Sequence, residues 1–244
     1  MRFFINSIIK NFPYLYSIWQ NYINSIDSKY YKKYCVNYKI IPFGDYCLPR
    51  VITTLNRLKP TKKYGEESFP FDLCFSKFTS NLKLLTTNFK DFYNNIEYNQ
   101  EKKYFENIEF NLFFNHDDIS ILEFKERYQK RIDNLYKAIS NEKLHIYFIV
   151  ATFEEISSLT IEQFINEMNH YRDINAYDLI IINQSSKKLL FSFKNVHVID
   201  LTKDLSFGKI NKNGLWVEKL KKMKNINARI FNYKVMSKLS KLIK

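Results

Sequence analysis

The most regular hydrophobic spacing in the chain runs from Ile121 to Ile139. Ile121, Phe124, Tyr128, Ile132, Leu135 and Ile139 recur every three or four residues, which predicts one apolar stripe on a helix. Ser120 and Glu123 stand at capping-box spacing at its start. Residues 144–152 (LHIYFIVAT) then form a nearly unbroken apolar run, as expected of a strand covered on both faces. Residues 177–182 and 196–201 are further strand candidates. Between the first two runs, Thr160 and Gln163 offer a second capping box ahead of Ile161, Phe164, Ile165 and Met168. Strand, helix and strand in this order predict a right-handed parallel crossover.

The N-terminal half is less regular. Residues 1–34 lack glycine and carry loose helical periodicity through Phe4, Ile8, Ile9, Tyr14 and Trp19, with Pro13 placed to start a second helix. Residues 38–43 (YKIIPF) read as a short strand, although Pro42 argues against a central position in a sheet. Gly44 then permits a sharp turn, and Val51, Ile52, Leu55 and Leu58 recur at helical spacing up to Pro60, with Pro49 in the first turn. Leu82, Leu85, Phe89 and Phe92 predict a helix over 76–93. Residues 97–115 alternate in part, as in a half-exposed strand or hairpin.

These elements predict an α/β fold: a three-layer sandwich around a mixed, largely parallel sheet. Its expected divisions are an N-terminal helical extension (1–37), an α/β domain (38–208) and a basic amphipathic helical tail (209–244). The net charge of +13 changes this picture only locally. Lysines outnumber arginines 31 to 7, a bias unlike that of phosphate-contacting surfaces, and residues 209–244 alone hold eleven Lys or Arg against Glu218. A basic tail with Leu215, Trp216, Leu220, Ile230, Phe231, Val235 and Leu239 suits docking against the body, or peripheral contact with an anionic membrane. No nucleic-acid-binding motif accompanies it, so nucleic acid is not the expected partner. No apolar run reaches the ~18 residues of a membrane span. Asn6, Lys10 and Asn11 interrupt the only signal-like stretch, which leads to a cytoplasmic expectation, with membrane-peripheral contact through the tail.

Three cysteines, Cys35, Cys47 and Cys74, show no zinc-ligand spacing, and their odd number suits free thiols in a reducing compartment. Cys35 and Cys74 read as small packed side chains. Cys47 differs, because a thiol at a helix start faces unpaired N–H groups that favour thiolate and can later hold an oxyanion. The alternative is a small residue buried under the helix. His116, ahead of the helix at 121–139, is the candidate base; Asp117 and Asp118 beside it suit helix capping. Asp72, after Phe69-Pro70-Phe71, must find a partner if buried: it could cap the next helix, anchor a loop or orient an imidazole. His145 and His197 fall in apolar strands and read as satisfied core histidines, and His170 as a surface residue. The four glycines never cluster as a phosphate-binding loop, and no HExxH or GxSxG occurs, so no nucleotide or metal cofactor is expected.

The order of these pieces resembles a bacterial family described as papain-like cysteine peptidases. The resemblance rests on Gly44-Asp45-Tyr46-Cys47, then Pro70-Phe71-Asp72-Leu73, then Leu82-Lys83-Leu84-Leu85 with Phe89-Lys90-Asp91-Phe92. His116-Asp117 and the helix at Arg127-Tyr128-Gln129-Lys130-Arg131-Ile132-Asp133 complete it, over about 38–152. Leu73 stands where the family has tryptophan, which alters a pocket wall. The resemblance implies Cys47 as nucleophile, His116 as general base and Asp72 or Asp117 as the residue that orients it. The strand pattern, by contrast, predicts a three-layer α/β sandwich and not a papain sheet. The expected function is therefore a cysteine-dependent hydrolase or acyl transferase acting on a peptide, acyl or glycan substrate. The alternatives are a non-catalytic module binding glycan, peptide or membrane surface, and a transferase of surface-polysaccharide assembly.

Overall fold

The computed structural model describes residues 13–117, 119–202 and 226–243. The chain is an α/β sandwich. Its centre is a four-stranded sheet of β1 (Tyr38–Pro42), β5 (His145–Thr152), β6 (Tyr177–Asn183) and β7 (Val196–Asp200), in that spatial order and parallel throughout. The antiparallel strands are segregated into a second sheet of β2 (Ile96–Asn99), β3 (Tyr104–Asn107) and β4 (Leu112–Phe114). Pro42 is tolerated because β1 is an edge strand, where a missing N–H breaks no inner ladder.

The alternation of side chains along the central strands sorts the core into two layers. Ile41, Phe43, Ile146, Phe148, Val150, Leu179 and Ile181 face one side, with α3 (Phe78–Thr86), α4 (Ile121–Ile139), α5 (Ser158–Asn169) and the small sheet. Ile40, Tyr147, Ile149, Ile180, Ile182 and Ile199 face the other, with α2 (Leu48–Leu55) and α6 (Ile226–Leu242). Both faces of β5 are thus buried, which is why its sequence is apolar without a break. The 184–195 segment between β6 and β7 holds no helix, and Leu189, Phe191 and Phe193 cover the first face in its place.

The N-terminal helix α1 spans Pro13–Tyr34, and residues 1–12 lie outside the described residues. Of the basic tail, 209–225 also lies outside them. In α6, Ala228, Phe231, Val235 and Leu239 are fully buried against the sheet, whereas Ile230 is exposed; Leu215, Trp216 and Leu220 of the tail lie outside the described residues. Among the described residues, no helix is long and apolar enough to cross a membrane.

Three helix boundaries differ from the sequence expectation; that of α2, expected to run up to Pro60, falls at Leu55, with Arg57 in a left-handed conformation (φ 62°). The helix predicted over 76–93 stops at Thr86, because Asn88 takes a left-handed conformation (φ 52°). Asn88 N–H then donates to Leu85 O at 3.0 Å and Phe89 N–H to Leu84 O at 2.8 Å, a Schellman closure with asparagine in glycine's usual place. Phe89 and Phe92 reach the core from the turn beyond it. Helix α5 starts before the expected Thr160 box: Ser157 is its N-cap and accepts from Thr160 N–H at 3.1 Å. The box at Ser120 and Glu123 forms as read, with both reciprocal bonds present.

Candidate functional site

After β1 the chain passes to α2 on one face of the sheet, whereas after the neighbouring β5 it passes to α5 on the opposite face. Divergent connections of this kind leave a crevice at the carboxyl ends of adjacent parallel strands, where open α/β sheets bind ligands. Gly44-Asp45-Tyr46-Cys47 lies on its β1 side and Thr152-Phe153-Glu154 on its β5 side.

Each residue of this turn has a separate task. Gly44 allows close approach, since a Cβ there would stand 2.7 Å from Val150 Cγ1. The left-handed backbone of the turn falls on Tyr46 (φ 64°) and not on Gly44, a conformation that costs a non-glycine residue about 1–2 kcal/mol. Its ring is held edge-on by Phe75 at 4.3 Å and Phe153 at 5.2 Å. Asp45 is buried and accepts from Phe153 N–H at 3.3 Å, tying the turn to the end of β5. Burial pushes its carboxyl pKa up, opposed by the hydrogen bonds from the backbone and from Thr152. Cys47 follows as the N-cap residue of α2. Its carbonyl accepts from Val51 N–H at 2.9 Å, and its half-buried side chain makes no capping bond.

Asp72 is buried behind α2. Its Oδ2 lies 3.3 Å from Arg50 Nη1 and its Oδ1 3.7 Å from Lys59 Nζ. Arg50 also reaches Glu66 Oε2 at 2.6 Å, and Lys59 reaches Glu66 Oε1 at 2.5 Å, which completes two cations and two carboxylates. Lys59 further donates to Ile40 O at 2.7 Å and lies 4.5 Å from the centre of the Phe69 ring. Of the three roles open to Asp72 in the sequence, anchoring is the one these contacts describe, with side-chain cations as its partners.

His116 is exposed in the turn after β4, and Asp117 beside it is buried. Asp117 does not cap α4, because Ser120 does. Instead Arg127 donates to Oδ1, Tyr128 O–H donates to Oδ2 at 2.9 Å, and Arg131 Nη1 lies 3.7 Å from Oδ2. Asp118 lies outside the described residues. A two-way bridge between Phe75 and Phe113, at 2.9 and 3.0 Å, ties the strand that leads to His116 to the 72–76 segment, on which Tyr46 packs. The segment after Asp72 thereby touches both the Tyr46 turn and the strand that leads to His116.

Cys74 sits between these parts. Burial pushes its thiol up to about 12, despite the Ser76 hydrogen bond and nearby Arg131, while Cys47 and Asp72 push the same way as burial. It is a packed thiol, as read from the sequence; Cys35 is half-buried, with Sγ 3.2 Å from Tyr38 Oη. None of the three cysteines is in a disulfide. His145 and His197 are hydrogen-bonded as expected but are half-buried and not in the core: both Nε2 atoms lie 2.7 Å from the carboxylate of Asp178, a partner not anticipated. His170 is exposed at the end of α5. Among the described residues no group of three or more His, Cys, Asp or Glu could hold a metal.

Sequence reasoning missed Asp45, Arg50, Lys59 and Arg131. Only Arg131 carried a local signal. It stands three residues after Tyr128 and four before Leu135, so a cation occupies a position on the apolar stripe of α4. Compared with models of protein families, with curated proteins and with solved structures, the chain matches none.

Proposed function

We propose that the protein is a cysteine-dependent hydrolase or acyl transferase with Cys47 as nucleophile and His116 as base. The observation that carries this reading is the position of Cys47: a half-buried N-cap residue of α2 in the turn that follows β1, packed beside the apolar layer of that face, with no side-chain capping bond. A thiolate at a helix start is favoured by the dipole and the unpaired N–H groups there. In the proposed reaction His116 takes the thiol proton and the sulfur attacks a carbonyl carbon. Pro49 has no N–H, so the first turn of α2 offers those of Leu48 and Arg50 to the developing oxyanion. Collapse of the intermediate expels a leaving group that receives the proton from His116. Water then releases the acid, or an acceptor hydroxyl or amine takes the acyl group. The strained Tyr46 supports the reading, since such strain collects at functional turns. The motif order supports kinship with papain-like cysteine peptidases, and the thiols, none of them in a disulfide, support a place in the reducing cytoplasm.

The test is the rate of iodoacetamide labelling of Cys47 against pH, in wild type and His116→Ala. The expected result is an apparent pKa well below the ~8.5 of a free thiol, raised by the substitution. An ordinary or elevated pKa, unchanged in His116→Ala, would refute the pair.

A further inference from the structure

A cleft of about 500 Å³ opens between α4 and the loop at 66–68. Arg127, Lys130, Arg131 and Asn134 line it from one face of α4, their spacing of three, one and three residues placing all four side by side. Ser68 faces them, and its carbonyl accepts from Asn134 Nδ2 at 3.1 Å, which closes one end. We propose that this cleft binds the phosphate group of a small phosphomonoester.

The charges around the cleft do not balance. Its two carboxylates are already engaged, Glu66 by Arg50 and Lys59, and Glu67 by Lys39 and Lys137. Asp117, behind the cleft, is engaged by Arg127 and Arg131. With Asp72 there are four carboxylates against six cations, and Lys130, exposed and in no ion pair among the described residues, makes a seventh.

Arg131 is the buried cation of this cleft. It is only 5% exposed, its guanidinium lies 4.4 Å from the Tyr128 ring, and its Nη1 makes no hydrogen bond. The nearest carboxylate oxygen, on Asp117, is 3.7 Å away, beyond hydrogen-bond length. A buried donor without an acceptor is costly, and a guanidinium fork matches the oxygens of a phosphate. A tetrahedral dianion can accept from Arg131, Arg127 and Lys130 together, whereas a carboxylate brings half the charge and two oxygens. The volume also leaves space for the organic part of the ligand.

This site does not depend on Cys47 chemistry, and the experiment separates the two. Inorganic phosphate is titrated calorimetrically into the full chain at constant ionic strength, with sodium chloride and sodium acetate as controls, and the unfolding midpoint is followed in parallel. Phosphate also stabilises proteins non-specifically, so the decisive comparison is between variants. Wild type and Cys47→Ala are expected to bind phosphate saturably and alike. Lys130→Glu, at an exposed position where folding is not at risk, is expected to weaken binding at least tenfold; Arg131→Met, if folded, is expected to abolish it. Phosphate acting no better than chloride or acetate, or equal affinity in wild type and Lys130→Glu, would overturn the assignment.

Discussion

Lys59 Nζ and Glu66 Oε1 lie 2.5 Å apart at a depth where each side chain is no more than 3% exposed. Arg50 and Asp72 complete the group, so four charges that neutralise one another sit between α2 and the loop leading to Asp72. Burial lowers the pKa of Lys59 and raises that of Glu66, against the pull of the opposite charges around each. The cluster therefore holds because it is complete.

Lys59→Met should destabilise the protein by about 3–5 kcal/mol, since it leaves two buried carboxylates to share Arg50. The double variant Lys59→Met/Glu66→Met restores neutrality by leaving the Arg50 and Asp72 pair, and should lose less than the single variant. Urea unfolding of wild type, Lys59→Met, Glu66→Met and the double variant decides. A double variant as unstable as the sum of its parts would mean that shape, not charge balance, governs this region.

The second expectation concerns acid stability. Burial alone would raise the pKa of Asp178, but hydrogen bonds from His145 and His197 outweigh it and hold the carboxyl at about 2, below its ordinary 3.8. A folded pKa below the unfolded one gives stability that is present above about pH 4 and lost as pH falls toward 2. The shift corresponds to at most ~2 kcal/mol, less for a carboxylate with some solvent access. Asp178→Asn should be less stable than wild type at pH 6, and the difference should shrink between pH 4 and 2. A pH-independent difference would show that the carboxylate is not favoured in the fold.

A third expectation is a gain. Lys103 is exposed in the loop between β2 and β3 and has a left-handed backbone (φ 55°), while its N–H donates to Asn99 O at 2.8 Å. Glycine adopts that conformation without the Cβ clash and keeps the bond. Lys103→Gly should therefore raise stability by about 1 kcal/mol, measured as a shift of the urea midpoint with unchanged slope.

The residues that were legible in the sequence are those whose environment is set by near neighbours. Burial of β5 on both faces shows directly as an unbroken apolar run, and the Ser120 box closes over three residues. Cys47 at the start of α2 followed from Gly44 and Pro49 beside it. The roles of Asp72 and Asp117 did not follow, because Arg50, Lys59, Arg127 and Arg131 select them across ten or more residues of chain, and side-chain charge has no period. The ends of α3 and α5 were misplaced for a different reason. Asn88 and Ser157 are residue types that turn or cap only when the local backbone bonds favour it, and strong apolar spacing masked both.

Gly44 connects the fold to the proposed chemistry. An alanine Cβ there would lie 2.7 Å from Val150 Cγ1, in a buried contact where the Val150 side chain or the turn must shift. Gly44→Ala should cost about 1–3 kcal/mol, as overpacking does. Val150→Ala removes the methyl group that the new Cβ meets, so the double variant should recover part of that loss, with a coupling of about 0.5–3 kcal/mol. The same cycle reads the site, because Gly44 stands three residues before Cys47 on the turn that aims it. Displacement of the turn should slow iodoacetamide labelling of Cys47 in Gly44→Ala at neutral pH, and Val150→Ala should restore it in the double variant. Stability effects that simply add would show that the turn yields instead of the Val150 contact. Recovery of stability without recovery of labelling would separate the packing of the crevice from the reactivity of the thiol at its edge.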